Sequence, residues 1–129
     1  MKFFSIKEAE SLIPEFEEVF AGALKIRDQA ESKAARLRDL EEGGKSDLPA
    51  VTIERSQLQF LVNAVNEWLD KVRALGGVPR GIDPAIVDIP GRLGGREVYL
   101  CWRRGEKKIG HYHGPNEECE TRKPLPKEK

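Results

Sequence analysis

The stretch REVYLCWRRGEKKIGHYH, residues 96–113, alternates apolar and polar side chains on both sides of a central RRGEKK. This period of two is typical of strands with one buried face, and the central glycine indicates a hairpin turn. With a two-residue turn at Gly105 and Glu106, the register opposes three pairs: Trp102 and Ile109, Leu100 and His111, Val98 and His113. The apolar face would then carry both histidines, and the other face would carry Tyr99, Cys101 and Tyr112.

A third strand is predicted ahead of this hairpin. Residues 77–95 are interrupted by proline and glycine around one short apolar run at residues 86–89. A run of that length between turn residues is typical of a buried strand. We therefore predict a three-stranded antiparallel β unit over about residues 86–113.

Two long helices are predicted before the β unit, because apolar residues recur there with a period of seven. Ser5 and Glu8 have the spacing of a capping box, so the first helix should cover about residues 6–42. A connector at 43–50 contains Gly, Pro, Ser and Asp, and the second helix should follow over about residues 52–75. The pair is expected to form an antiparallel, coiled-coil-like hairpin.

Two features of these helices carry further predictions. Pro14 lacks the N–H that a helix interior needs, so the first helix should kink or restart there. The apolar stripes are also wider than one partner helix can cover, since they include Ile13, Phe20, Val62 and Leu69. Either the β unit or a second copy of the chain would cover the surplus apolar surface, and of the two we favour a homodimer that forms through the helices.

The fold class expected from these elements is α+β. A chain of 129 residues has the usual size of one domain. We place that domain at residues 1–125 and expect a disordered tail at 126–129, because the end of the chain is rich in proline and charge.

Composition bears on the partners and on the compartment. Lys plus Arg and Asp plus Glu both total 22, so no net charge attracts nucleic acid, although the basic turn at 103–108 could meet an RNA backbone. No apolar run approaches the roughly 20 residues that span a bilayer, and the N-terminus has no signal-peptide core. We expect a cytoplasmic protein with neither a nucleic acid nor a membrane as its partner.

The candidate metal site is GHYHGPNEECE, residues 110–120. Two histidines one residue apart on a strand project to the same face about 6 to 7 Å apart, a spacing that one zinc ion can bridge. The predicted ligands of zinc, or of another divalent transition metal, are His111, His113, Glu117 and Cys119. The competing interpretation is that the histidines are ordinary packed side chains and that the protein has no cofactor.

A second group of candidates consists of side chains that could bind an anion or form ion pairs: Asp88, Arg96, Glu97 and Arg122. Two arginines can hold a carboxylate or phosphate while a carboxylate transfers a proton. The sequence has no nucleophile motif with its base and no phosphate-binding glycine loop. An ion-pair network between the strands and the C-terminal segment is therefore favoured over a catalytic centre.

Cys101 and Cys119 are expected to be reduced thiols. They lie 18 residues apart without a CxxC motif, in a chain predicted to be cytoplasmic, where disulfides are rare. Cys101, within the strand sequence YLCW, is expected to pack as a small buried side chain.

Three segments together resemble a known family: FFSIKEAESLIPE at 3–15, VDIP at 87–90 and GREVYLCWRRGEKKIGHYH at 95–113. The family is a small prokaryotic one known as domain of unknown function 2203, and the resemblance extends to Pro124. It implies a helical hairpin joined to a small β unit, without an assigned activity. Its recurring polar residues fall on Asp88, Arg96, Glu97, Glu106, His113 and Arg122. The chain departs from the family pattern at His111 and Cys119, so a site on either would be particular to this protein.

The sequence contains no recognisable catalytic set, so a non-enzymatic role is favoured. We predict an interaction domain that pairs with a second copy of itself and with an unidentified protein. The alternative is a metal-binding protein that uses the two histidines of one strand, with hydrolysis as one activity that such a site would support.

Overall fold

The computed structural model describes residues 2–44 and 49–126, and their N-terminal part forms three helices. These are α1 (Ile6–Ser11), α2 (Ile13–Glu42) and α3 (Pro49–Ala74). Residues 45–48 of the predicted connector and 127–129 of the predicted tail lie outside the described residues. No described helix is apolar over a length that would cross a membrane.

The start of the first helix is confirmed in detail. The Ser5 hydroxyl accepts a hydrogen bond from the Glu8 backbone N–H at 3.0 Å, and Glu8 Oε1 accepts one from the Ser5 N–H at 3.0 Å. This is the predicted capping box. Pro14 lies in the first turn of α2, where its missing N–H has no helical acceptor, so the chain restarts there.

The helices α2 and α3 pack side by side as the predicted hairpin. Gly22 permits their close approach, because a Cβ at this position would lie 2.6 Å from Cζ2 of Trp68. Further along, Lys33, which interrupts the apolar period of seven, lies with its Nζ 3.0 Å from Oε2 of the buried Glu54. The interruption in the pattern is therefore matched by a carboxylate on the facing helix.

The C-terminal part is a five-stranded antiparallel sheet in the order β1-β2-β3-β4-β5. The strands are β1 (Val78–Ile82), β2 (Ala85–Leu93), β3 (Arg96–Arg103), β4 (His111–His113) and β5 (Lys123–Pro124). The prediction of three strands within 86–113 missed β1 and β5. Both contain proline, which argues against a central strand, but both lie at sheet edges, where a missing N–H is tolerated.

The predicted hairpin register is wrong by one residue. In the structure β3 and β4 pair Tyr99 with His113, Leu100 with Tyr112 and Cys101 with His111. The connection is not a two-residue turn but spans residues 104–110. Because side chains alternate along a strand, this shift moves both histidines to the face of Tyr99 and Cys101, and it moves Tyr112 to the core face.

The core lies between the sheet and the first turns of α2. Trp102 is fully buried between Phe16 and Phe20, with ring centroids at 5.6 and 6.1 Å. Other apolar side chains of the sheet, together with Ile109 of the β3–β4 connection, complete this cluster: Ala85, Val87, Ile89, Val98 and Leu100. The opposite face of the sheet, here called the outer face, carries the candidate site.

We predict that Gly22→Ala destabilises the protein, although alanine normally favours a helix over glycine by about 0.5–1 kcal/mol. The added Cβ would overlap the Trp68 ring, and such overpacking costs about 1–3 kcal/mol. Urea denaturation would measure the loss. Gly110→Ala, where nothing lies within 4 Å of the new Cβ, is the control and should be nearly neutral. The same substitution should cost less free energy of unfolding in a Trp68→Leu background, where the large ring is gone. An equal cost in both backgrounds would contradict the steric explanation.

Candidate functional site

The outer face of the sheet is covered by the loop at residues 114–122. Cys119 of this loop forms a disulfide with Cys101 of β3, so the expectation of two reduced thiols is wrong. The chain passes from β3 through β4 into the loop and brings the two Cα atoms to 6.3 Å, within the range that a disulfide spans. Cys101 is fully buried, as predicted.

Asp88 and His113 form a buried pair beneath the loop. His113 extends from β4 across β3, and its Nε2 lies 2.8 Å from Oδ1 of Asp88 on β2. The two residues are 2% and 1% exposed, so water does not screen the pair. Arg80 of β1 donates from Nε to Oδ2 of Asp88 at 2.9 Å. Each carboxylate oxygen of Asp88 therefore has a partner.

The second ring nitrogen of His113 determines where its protons lie. Nδ1 is 2.9 Å from the carbonyl oxygen of Gly114, and a carbonyl can only accept, so Nδ1 carries a hydrogen. In the neutral ring, Nε2 then presents a lone pair to Asp88. A lone pair facing a carboxylate needs a positive charge between them. A proton or a cation between Nε2 and Oδ1 meets this need.

Cys101 belongs to the same cluster. Ligand atoms of Asp88, Cys101 and His113 all lie within 4.8 Å of one another, and all three residues are buried. Cys119 adjoins them through its bond to Cys101. A cavity of about 460 Å³ opens beside the cluster, and its lining includes Asp88, Cys119 and Arg80. The arrangement thus brings carboxylate, imidazole and sulfur together below an accessible opening.

The four predicted metal ligands occupy different surroundings. His113 and Cys119 lie at the cluster, whereas His111 Nδ1 is 3.9 Å from Oε2 of Glu106. Glu117 closes the loop instead, since its Oε1 accepts from the Gly114 N–H at 2.9 Å. The structure therefore brings together two of the four, and metal binding by the full predicted set stays a prediction.

The four predicted ion-pair residues are also divided. Asp88 pairs with Arg80 and His113, and Arg122 forms a bidentate pair with Glu106 at 3.0 and 3.1 Å. Within residues 2–44 and 49–126, Arg96 and Glu97 are exposed and take part in no ion pair. Among the described residues, the four predicted side chains do not pair with one another; Asp88 and Arg122 belong to two separate groups, Arg80–Asp88–His113 and Arg122–Glu106.

Sequence reasoning missed Arg80 and Cys101 as partners at the site, and it included Glu106 only among the recurring polar residues of the family, without its contact to Arg122. Arg80 was missed with the whole of β1. The spacing of residues along the chain gives no indication of the other two contacts, because they depend on which strands are neighbours and on the register between them.

Glu106 joins the β3–β4 connection to the C-terminal segment. Burial by itself raises the pKa of Glu106. Hydrogen bonds from the Arg122 side chain and the Arg103 N–H, together with the charges of Arg122 and His111, act more strongly in the opposite direction. The net result is a pKa below its ordinary value of about 4.5. Arg122 Nη1 also lies 3.9 Å from Sγ of Cys101, so this ion pair borders the cluster.

The fold and the cluster together define a class: an α+β protein in which a helical hairpin packs on one face of a five-stranded meander and a disulfide-covered polar cluster lies on the other. Residues 2–125 match the model of the family described as uncharacterized conserved protein DUF2203. The chain therefore belongs to the DUF2203 family, as its resemblance implied. Neither a curated protein nor a solved structure matches the chain.

We predict that Glu106→Gln weakens the fold in a pH-dependent manner. A carboxyl whose folded-state pKa is lowered stabilises the protein above its unfolded pKa, and this stabilisation is lost as the pH falls through the folded-state pKa. The variant should therefore lose about 2 kcal/mol at pH 7, the range for a hydrogen bond to a charged group, and much less in acid. Urea denaturation of both proteins at neutral and acidic pH measures the difference.

Glu120→Gln is the matched control for this experiment. Glu120 is exposed on the same C-terminal segment, so its substitution should change the free energy of unfolding by less than about 0.5 kcal/mol at either pH. A loss in Glu106→Gln that stays constant from neutral to acidic pH would show that the charge of Glu106 is not what stabilises the segment.

Proposed function

We propose that this protein is a cytoplasmic, self-associating interaction domain, whose helical hairpin pairs with the hairpin of a second copy in coiled-coil fashion. The observation that carries the proposal is Phe60 on α3, whose surface is 72% exposed. A phenylalanine that exposed on a regular helix is a typical anchor for a protein contact. Ile53, which is 56% exposed, lies seven residues before Phe60 and therefore on the same face of the helix.

The sheet leaves the distal half of the hairpin uncovered, which supports the proposal. The β1–β2 turn reaches α2 at Arg27, where Nη2 lies 3.2 Å from Oδ2 of Asp83. Beyond this point, the buried residues described on the two helices are Ala30, Val51 and Glu54. In this distal half, apolar residues of the period-of-seven pattern are only half-buried: Leu37, Leu40, Leu58 and Leu61. A second hairpin would bury them as in a four-helix bundle.

The absence of charged residues from the segment of α3 that contains Phe60 favours a second copy as the partner. Residues 56–66, SQLQFLVNAVN, contain no charged residue in a chain that is 34% charged. In a two-fold contact the same surface meets itself, so a surface with one sign of charge would repel its copy. Glutamine and asparagine carry both donors and acceptors, so this surface is complementary to itself.

A groove beside Phe60 offers the matching cavity. It has a volume of about 670 Å³ and lies between α2 and α3, with Gln29 and Ser32 on one side and Gln57 and Leu61 on the other. The basic side chains at its edge, Lys33 and Arg36, are already paired with Glu54. We place Phe60 of each copy in the groove of the other copy.

We predict that the wild-type protein is a dimer and that Phe60→Glu dissociates it. Loss of an interface anchor costs at least about 2 kcal/mol, which corresponds to a dissociation constant raised about thirtyfold or more. Sedimentation equilibrium over a range of protein concentrations measures the constant, and circular dichroism checks that the helices are retained.

Val62→Glu is the matched control. Val62 is 42% exposed in the same uncharged segment, but it is turned about 200° around the helix axis from Phe60. Its substitution adds the same charge without entering the proposed interface, so the dimer should persist. A monomeric wild-type protein, or equal dissociation in both variants, would refute the proposed contact.

A further inference from the structure

We infer that Asp88, Cys101, His113 and Cys119 are the four ligands of a zinc ion in the reduced protein, and that the Cys101–Cys119 disulfide is the metal-free form of the same site. The ligand atoms of Asp88, Cys101 and His113 lie within 4.8 Å of one another, and Cys119 is bonded to Cys101. Two thiolates, one imidazole and one carboxylate complete a tetrahedral zinc site.

His113 is arranged as a metal ligand. Its Nδ1–H donates to the Gly114 carbonyl at 2.9 Å, which directs the lone pair of Nε2 toward Asp88. Metal-bound histidines usually have this arrangement, in which a carbonyl or carboxylate holds the other ring nitrogen and fixes the tautomer. Arg80 holds Oδ2 of Asp88 in the same way and leaves Oδ1 facing the cluster. A zinc ion would supply the positive charge that the pair requires between Nε2 and Oδ1.

The distances require only a small rearrangement. Ligand atoms around a tetrahedral zinc ion are separated by about 3.3–3.8 Å, which follows from zinc–nitrogen and zinc–sulfur bonds of about 2.0–2.3 Å. The three atoms of Asp88, Cys101 and His113 lie within 4.8 Å of one another, and Nε2 and Oδ1, which are 2.8 Å apart, have to separate by about 0.5 Å to admit the ion. Cys119 has to move outward, and the backbone hydrogen bonds at residues 117–122 are made within the loop, so they can move with it.

The charges around the cluster suit a bound zinc ion. Two thiolates and the Asp88 carboxylate carry one negative charge more than zinc neutralises. The guanidinium of Arg122 lies 3.9 Å from Sγ of Cys101, and Arg80 contacts Asp88, so cations stand on two sides of the site. A nearby arginine favours a negative charge on the sulfur, which is the form of cysteine that binds metal.

The two forms interconvert by a balanced exchange. A cellular dithiol attacks the Cys101–Cys119 bond and becomes a disulfide itself, while the two cysteines take up its two electrons and two protons as thiols. Zinc then binds both sulfurs and takes the place of the proton between Nε2 and Oδ1, and the displaced protons pass to solvent. Oxidation of the thiolates by a disulfide of low-molecular-weight thiols reverses the process and expels the ion. The cavity beside Asp88 and Cys119 gives both reagents a route.

The test compares the full-length, untagged protein in its oxidised and reduced forms. Each form is titrated with zinc chloride in competition with a chromophoric chelator, and elemental analysis after desalting measures the zinc retained per chain. We expect one tightly bound zinc ion per chain in the reduced protein and none in the oxidised protein. Cobalt in place of zinc should give the near-ultraviolet charge-transfer absorption of thiolate ligands.

Variants then identify the ligands. Loss of a side chain that only hydrogen-bonds to a metal ligand weakens metal binding by roughly 10–100-fold. Cys119→Ser and His113→Gln each remove a ligand itself, so each should weaken zinc binding by more than this. His111→Gln is the matched control, because His111 lies two residues from His113 on the same strand but next to Glu106. The His111→Gln variant should bind zinc as tightly as the wild-type protein. Cys119 lies on the covering loop, so Cys119→Ser tests the site even if the buried His113→Gln variant does not fold.

Two results would overturn the inference. One is a reduced wild-type protein that binds no zinc against the chelator, or that binds it no better than the oxidised protein. The other is zinc binding that disappears in His111→Gln and survives in Cys119→Ser, which would assign the ion to a different ligand set. Both readouts are independent of the oligomeric state, so they are distinct from the test of the Phe60 contact.

Discussion

The packing of Trp102 between Phe16 and Phe20 determines the arrangement of the whole C-terminal part. Its indole is fully buried, and Nε1 donates to the Glu106 carbonyl at 2.9 Å, so the ring is fixed both in the core and to the β3–β4 connection. Once Trp102 faces the hairpin, the alternation of a strand turns Cys101 outward. The position of the candidate ligands on the outer face therefore follows from the packing of the inner face.

The parts of the fold that depend on local sequence could be predicted. The capping box at Ser5, the restart at Pro14 and the helical hairpin follow from short-range spacing and from the period of seven, and the structure has all of them. The register between β3 and β4 depended on an assumed turn. Its actual connection buries Ile109 and bonds Glu106 to Trp102, and these are tertiary contacts that no alternation pattern contains.

The one-residue shift also explains why the candidate site could be predicted only in part. Sequence reasoning identified His113, Asp88 and Cys119, but it assigned Asp88 to a different group from the other two and placed His113 on the core face. In the correct register His113 crosses β3 to reach Asp88, which lies 25 residues away in the chain, and Cys101 stands between their strands. Spacing along the sequence identifies ligands on one strand, whereas ligands on three neighbouring strands become visible only when the pairing is known.

The interruption of the helical period at Lys33 connects the interior of the hairpin to its surface. Lys33 lies 3.0 Å from Glu54, which is 8% exposed, and a buried pair of this kind adds little net stability compared with apolar residues. Loss of one of the two charges is nevertheless costly, because the remaining buried charge is left without a partner. If α3 were displaced by one heptad, Leu61 would stand where Glu54 now meets Lys33. The ion pair thus fixes the alignment of the two helices, and this alignment places Phe60 beside the groove formed with Gln29 and Ser32.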